Sequence, residues 1–223
     1  MWFHVGVIRQ SSPSHQCPDA VTYFSQNAPY GSATTAMRPY GVSFGPLSSL
    51  PSSRGSRASA ATTEVDKRYT RVPRQEELQL DPGAAYAHIT TNNTLFGTQW
   101  HWLPDTGSVP LIADMSSDFL WRRVDVRRFG LIYAGAQKNI GPSGLCLVIV
   151  RDDLIGKAQP GIPALLDYAA QAKNGSMINT PPTFAWYLSG LVFEWLLAQG
   201  GVQAMQQVNR AKAELLYGYI DQS

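Results

Sequence analysis

The sequence contains few cysteines and few charged residues. Cys17 and Cys146 are the only cysteines among 223 residues, too few for a disulfide framework or a four-ligand zinc site. Charged residues make up 15% of the chain and the formal net charge is +2, which excludes a polybasic nucleic-acid surface. We therefore expect small-molecule partners, no nucleic acid, no metal site and a reducing compartment.

Long hydrophobic runs are also missing. No stretch offers the roughly 20 consecutive apolar residues that cross a bilayer. Residues 1–10 lack the basic run and the apolar core of a signal peptide. The sequence therefore predicts no membrane segment and a cytoplasmic location.

Residues 1–62 have a single acidic side chain and no core-building pattern. Asp19 is their only acidic residue, and Ser, Pro, Gly and Arg dominate runs such as 48–59. Such a segment buries too little apolar surface to offset the entropy lost on ordering. We predict a disordered, low-complexity segment that ends near residue 62, with a binding arm as the functional alternative.

From residue 63 to 223 the apolar pattern predicts an α/β domain. Short apolar runs bounded by Gly, Pro, Asp or Asn are typical of buried strands in a mostly parallel sheet. These runs cover residues 84–89, 109–113, 130–136 and 145–150.

Two helices are predicted near the C-terminus. The first is capped by Thr183 and ends at Gly200 and Gly201, and the second follows directly. We expect one apolar stripe of each helix to lie in the core. The stripes consist of Phe184, Tyr187, Leu188, Leu191, Val192, Trp195 and Leu196 in the first helix, and of Val202, Met205, Val208, Leu215 and Tyr219 in the second.

One lysine stands between a strand-like run and a glycine-rich turn, in the segment YAGAQKNIGPSG at 133–144. This position places the Lys138 amine at the carboxyl end of a strand, where open α/β sheets bind ligands. We expect the amine to be partly buried there, which disfavours the ammonium form and leaves free amine to attack an aldehyde. A lysine after a strand is more often a solvated surface residue, so position alone does not establish catalysis.

A carboxylate ends another predicted strand. Asp114 follows the apolar run 110–113, and Ser116 and Ser117 then offer hydroxyls and a possible helix cap. A carboxylate at a strand end can keep the ring nitrogen of pyridoxal phosphate protonated, although a lone Asp is more often a turn or cap residue. Lys138 and Asp114 together are the minimum set for this cofactor.

Five segments of the chain resemble one family, the phosphoserine aminotransferases, which are class V pyridoxal-phosphate-dependent aminotransferases. They are TNNT at 91–94, FGTQW at 96–100, ADMSS at 113–117, AGAQKNIGP at 134–142 and NTPPTFAWYL at 179–188. Their order and spacing match, and the resemblance runs from about Val65 to Ser223. It implies part of an aspartate-aminotransferase-like (type I) large domain, with a mostly parallel sheet and flanking helices.

The resemblance also implies a role for each matched residue. Lys138 would form the Schiff base with pyridoxal phosphate and carry the proton, and Asp114 would pair with the pyridinium nitrogen. Thr94 would contact the hydroxyl side of the ring, and Gln137 would contact the phosphate.

Asn179 and Thr180 resemble a pair that reaches the neighbouring subunit's cofactor phosphate, which implies a homodimer. Residues 179–182 are equally typical of a loop that enters a helix through proline, and both interpretations can hold together. His88 and His101 have no partner that the sequence identifies, so we expect structural roles for them.

The reaction that the resemblance implies uses glutamate and 3-phosphohydroxypyruvate, and gives 2-oxoglutarate and O-phosphoserine in serine and pyridoxine biosynthesis. The family's phosphate-binding glycine loop, ring-stacking aromatic and small C-terminal domain have no counterpart in the sequence, so we expect a chain truncated at both ends. An inactive fragment that keeps the sheet and dimer surfaces is the alternative, as is another class V aminotransferase. Cysteine desulfurase chemistry is disfavoured because Cys146 lies in a predicted strand.

Overall fold

The structure is a computed structural model that describes residues 71–158 and 160–223, together with the backbone of two strands nearer the N-terminus. The strands are β1 Phe3–Gln10, β2 Ser25–Gln26, β3 Ala87–Thr90, β4 Asn92–Asn93, β5 Thr98–Gln99, β6 Leu111–Asp114, β7 Leu131–Gly135 and β8 Leu145–Arg151. The α-helices are α1 Tyr168–Lys173, α2 Thr183–Ala198 and α3 Gly201–Gln222. Single 3-10 turns occupy Gln75–Glu77, Val126–Arg128, Asp152–Leu154 and Ala164–Leu166.

Six strands form one sheet in the order β2-β1-β8-β7-β6-β3, and β4 pairs with β5 in a separate hairpin. The strands β3, β6 and β7 run parallel, and β8 is antiparallel to β7. The α/β fold with a mostly parallel sheet is therefore confirmed. Because parallel strands end at the same edge, the segments that follow β3, β6 and β7 meet there.

The structure differs from the predicted disorder of residues 1–62 at β1, which pairs in parallel with β8 from His4↔Leu145 to Gln10↔Arg151. The β-branched residues Val5, Val7 and Ile8 favour an extended backbone. The prediction gave this short run less weight than the Ser- and Pro-rich composition that follows it. Residues 11–24 and 27–70, which include Cys17 and the predicted boundary at 62, lie outside the described residues.

One face of the sheet is buried, and the opposite face is half-buried. In β3 and β6, buried residues such as Ile89 and Ala113 alternate with half-buried ones such as His88 and Asp114, as the two-residue period of a strand requires. The buried set joins Trp100 in the main apolar cluster. The polar side chains of β3 and β6 are thereby confined to the opposite face.

Helix α2 packs against the main apolar cluster through Phe193, a residue outside the predicted apolar stripe. The buried residues of the helix are Ala185, Ser189 and Leu196. A Cβ atom added to Gly141 would lie 2.5 Å from the Ser189 Oγ atom. The close approach of α2 to the turn after Lys138 therefore requires glycine at 141.

Two predictions about the helices are wrong. Pro182, not Thr183, is the N-cap of α2, and its side chain makes no capping hydrogen bond. Most members of the predicted core stripes are exposed, although Leu196 is buried as predicted. The other buried residues of α2 are Ala185 and Ser189, and α3 has no buried residue. The exposed stripe members are Phe184, Tyr187, Leu191 and Trp195 in α2, and Val208, Leu215 and Tyr219 in α3.

The predicted end of the first helix is close to the observed one. Gly200 has φ +92° and lies between α2 and α3, in the left-handed region that glycine adopts at little cost. Within residues 71–158 and 160–223, no helix is both long and apolar enough to cross a bilayer.

We predict that Gly141→Ala lowers the free energy of unfolding by about 1–3 kcal/mol, because the added methyl group overpacks the contact with α2. Urea denaturation of the full chain measures this. Gly190→Ala is the matched control, since a Cβ atom there meets nothing within 4 Å and Ala favours the helix. An equal loss in both variants would contradict the packing argument.

Candidate functional site

The Lys138 amine lies among hydroxyl groups at the carboxyl edge of the sheet. Its Nζ atom donates to Thr94 Oγ1 and, at 2.6 Å, to Ser117 Oγ. The two hydroxyl oxygens are themselves 2.7 Å apart. Three segments that are far apart in the sequence, one after each of β3, β6 and β7, therefore converge on one primary amine.

The turn that carries Lys138 is held by backbone hydrogen bonds. Ala136 O accepts from Ile140 N at 3.3 Å and from Gly141 N at 2.8 Å. Asn139 Nδ2 donates to Phe119 O at 2.6 Å, which ties the turn to the segment after β6. These bonds fix the direction in which the lysine side chain leaves the backbone.

Thr94 is presented by the β4–β5 hairpin. Asn93 Oδ1 accepts hydrogen bonds from the backbone amides of Leu95 at 3.0 Å and Phe96 at 3.1 Å, an arrangement in which Asn stabilises a turn through its own side chain. Gly97 has φ +68° and completes the reversal. Thr94 therefore lies at the start of a locally stabilised turn, on the side that faces Lys138.

Asp114 is the last residue of β6 and is the register partner of both Thr90 and Tyr133. Its carboxylate accepts from Ser116 N at 2.9 Å. Ser116 Oγ in turn accepts from Gly135 N at 3.0 Å, which joins the ends of β6 and β7. The structure thus brings Asp114, Lys138 and Thr94 to one edge of the sheet.

Gln137 is exposed, and its amide folds back over Gly135, where an added Cβ atom would lie 2.5 Å from Gln137 Oε1. Asn179 and Thr180 lie in the loop between α1 and α2. Their predicted role toward a neighbouring subunit stays a prediction.

The expected partial burial of Lys138 is wrong, because Lys138 and its neighbours Gln137 and Asn139 are all exposed. The amine is held by hydrogen bonds from one side and is open on the other. Cys146 is different: burial raises the pKa of its thiol to about 12. A thiol that stays protonated is a poor nucleophile, which agrees with the prediction for Cys146.

Asp118 is a part of the site that the sequence analysis missed. Its carboxylate accepts from Thr91 Oγ1 at 2.5 Å and from Gln99 Nε2 at 3.2 Å. Thr91 lies directly after β3 and Gln99 lies in β5, so Asp118 fastens the base of the Thr94 hairpin to the turn that carries Ser117. The motif ADMSS was noted, but the Asp that follows it gave no separate signal.

Burial raises the pKa of the Asp118 carboxyl above its ordinary value. Hydrogen bonds from Thr91 and Gln99 and the nearby Arg122 guanidinium act in the opposite direction, but their combined effect is smaller. Between the unfolded and the folded pKa, the folded chain therefore binds more protons at this position than the unfolded chain does.

His88 has a partner that the sequence did not reveal. His88 Nε2 and the Tyr133 hydroxyl are 3.1 Å apart, and the two rings stack with centroids 5.9 Å apart. Burial raises the pKa of the Tyr133 hydroxyl, and the neighbouring Asp114 carboxylate raises it further. Tyr133 is thus a neutral hydroxyl between a histidine and a carboxylate.

A family model described as Aminotransferase class-V matches residues 45–223. This match begins earlier than the predicted start at about Val65, and residues 45–70 lie outside the described part of the chain. The chain is 63% identical over 155 residues to the phosphoserine aminotransferase of Azotobacter vinelandii, covering 70% of this chain and 43% of the relative. It is 60% identical over 163 residues to that of Pseudomonas putida, covering 73% and 45%.

Two solved structures are similar to the chain. The phosphoserine aminotransferase from Bacillus circulans subsp. alkalophilus superposes with a TM-score of 0.72 at 47% identity, covering 75% of this chain and 46% of that one. The phosphoserine aminotransferase from Trichomonas vaginalis, solved with PLP bound, gives 0.71 at 37% identity, covering 76% and 47%. The chain spans less than half the length of these relatives.

We predict that the stability of the wild-type chain relative to Asp118→Asn falls as the pH rises from about 4 toward neutrality. Asn has the same shape but does not ionise, whereas ionising the half-buried Asp118 carboxyl costs free energy in the folded state. Urea denaturation across this pH range measures the difference. Asp118→Ala should be less stable than Asp118→Asn by about 1–3 kcal/mol at every pH, since it removes the acceptor for Thr91 and Gln99.

A constant difference between wild type and Asp118→Asn across the range would contradict the raised pKa. Equal stability of Asp118→Ala and Asp118→Asn would contradict the role of the two hydrogen bonds.

Proposed function

Because the chain belongs to the aminotransferase class-V family, we propose that it provides part of the active site of a phosphoserine aminotransferase that binds pyridoxal phosphate through Lys138. The observation that carries the proposal is the contact of the Lys138 amine with the Thr94 and Ser117 hydroxyls. A lysine at this sheet edge, next to the segment that follows Asp114, has the chemistry that the cofactor requires.

The donor set at the sheet edge fits pyridoxal phosphate. The cofactor needs a primary amine for its aldehyde, a carboxylate for its ring nitrogen and polar groups for its phosphate. Lys138 and Asp114 supply the first two, and Ser117, three residues after Asp114, contacts the lysine. Gln137, exposed beside Lys138, is the group of this chain that we assign to the phosphate.

The side chains of this chain have distinct tasks in the proposed reaction. When bound, pyridoxal phosphate supplies an aldehyde that bonds to amines and a ring that accepts electrons from the substrate carbon. Lys138 Nζ would hold the cofactor and, once a substrate amine has displaced it, the free amine would accept a proton from the substrate's α-carbon. The Thr94 and Ser117 oxygens orient Nζ for both tasks, and Asp114 holds a proton at the ring nitrogen.

For the substrates we propose glutamate and 3-phosphohydroxypyruvate in one direction, and O-phosphoserine and 2-oxoglutarate in the other. The support is the resemblance to relatives named phosphoserine aminotransferase at 60–63% identity. The proposal places the protein in the cytoplasm, in serine biosynthesis and in pyridoxine biosynthesis. It also includes a homodimer in which Asn179 and Thr180 reach the partner's cofactor phosphate.

A second candidate is a chain that keeps the sheet and dimer surfaces but lacks activity. One observation favours it: the amine of Lys138 is exposed. A third candidate is another class V aminotransferase with a different amino donor.

We predict that pyridoxal phosphate added to the full chain, and then reduced with borohydride, becomes attached to Lys138. Reduction converts the imine to a stable amine that mass spectrometry locates on a peptide. Lys138→Ala should abolish the attachment, and the matched control Lys157→Ala, which removes another exposed lysine, should leave it intact. Attachment that persists in Lys138→Ala, or that lies on other lysines, contradicts the proposal.

For the substrate, we predict that O-phosphoserine converts the bound cofactor to its amine form faster than alanine or serine does. The absorbance of the cofactor during a single turnover measures this conversion. Equal rates with the three donors would favour another class V aminotransferase. Binding without conversion by any donor would favour the inactive chain.

A further inference from the structure

Two polar side chains accompany Asp114 on the half-buried face of the sheet. Tyr133, on β7, is the register partner of Asp114 on one side, and Thr90, on β3, is its register partner on the other. His88 lies two residues before Thr90 on β3. Residues two apart in a strand point to the same face. The stacked rings of His88 and Tyr133, with Nε2 and the hydroxyl oxygen 3.1 Å apart, therefore lie beside the Asp114 carboxylate.

The available protons fix the direction of these hydrogen bonds. A tyrosine hydroxyl has one proton to donate, and a carboxylate can only accept. The Asp114 carboxylate, on the neighbouring strand and the same face, lies close enough to the Tyr133 hydroxyl to raise its pKa, and it is the acceptor that we assign to the hydroxyl proton. The hydroxyl then accepts from His88, which must carry its proton on Nε2. The result is a series of hydrogen bonds in which His88 donates to Tyr133 and Tyr133 donates to Asp114.

We propose that Tyr133 and His88 are positioning residues that hold Asp114 as an oriented carboxylate for the cofactor's ring nitrogen. This inference rests on the proposed function. Hydrogen bonds donated to a carboxylate stabilise its charged form. The proton between Asp114 and the ring nitrogen then stays on the nitrogen, where it makes the ring an electron acceptor.

Without the Tyr133 hydroxyl, the Asp114 carboxylate loses a donor that stabilises its charge. The shared proton then shifts from the ring nitrogen toward the carboxylate oxygen. The ring nitrogen becomes more like neutral pyridine, and the cofactor loses part of its ionic contact with the protein. Both changes are measurable without turnover.

The test uses the full chain and pyridoxal phosphate labelled with ¹⁵N in the ring. In the wild type, the ¹⁵N chemical shift should lie in the range of a protonated ring nitrogen. In Tyr133→Phe it should move toward the unprotonated value, and the Kd for the cofactor should rise by about threefold to tenfold. His88→Leu should act in the same direction, and His88→Gln, which keeps a donor, should stay closer to wild type.

Tyr168→Phe is the matched control. Tyr168 is a second tyrosine that packs near the same apolar cluster as Tyr133, and burial raises its pKa, but Asp114 is not among the causes. Its substitution removes a hydroxyl and leaves the proposed hydrogen bonds of His88, Tyr133 and Asp114 intact. It should leave the ¹⁵N shift unchanged.

A cofactor analogue with carbon in place of the ring nitrogen distinguishes a loss of Asp114 positioning from a general disturbance of the cofactor site. Wild type and Tyr133→Phe should bind this analogue equally, because Asp114 has no nitrogen to face. An equal loss of affinity for both cofactors, or a wild-type ¹⁵N shift in Tyr133→Phe, overturns the inference alone. If the wild-type chain does not bind pyridoxal phosphate at Lys138, the proposed function and the inference both fail.

Discussion

The parallel pairing of β3, β6 and β7 is the constraint on which the site depends. The ladder continues past the strands themselves, since Asp114 O accepts from Thr91 N at 3.0 Å and Tyr133 O accepts from Met115 N at 2.8 Å. A register shift of one residue would turn every side chain of a strand to the other face. Asp114 would then exchange places with Ala113, which is fully buried in the apolar cluster. Core packing and site geometry are therefore fixed together.

The lysine is held by polar contacts rather than by burial. Its amine has two hydroxyl partners, yet its side chain is exposed. Asp118 supports the arrangement through Thr91 and Gln99, and partial burial raises the pKa of its carboxyl. The partly buried carboxyl is therefore Asp118, which lies behind the lysine, whereas the Lys138 amine stays open to ligands.

Much of this arrangement could be predicted from the sequence. The four predicted strands lie where apolar runs are bounded by Gly, Pro or Asp, which can be recognised in the sequence itself. Lys138 and Asp114 follow or end such runs, so their positions at strand ends could also be predicted. The partners of His88 and Asp118 were missed because they are 45 and 27 residues away, and only the sheet register brings them together. The apolar stripes of α2 and α3 were assigned to the core because hydrophobicity alone does not show which apolar side chains of a helix are buried, and most of these are exposed.

The most direct measurement of the central claim is a crystal structure of the chain with pyridoxal phosphate. The account predicts continuous electron density between Lys138 Nζ and the cofactor, with the ring nitrogen facing the Asp114 carboxylate. Density that joins the cofactor to a different lysine, or a ring nitrogen turned away from Asp114, would contradict it.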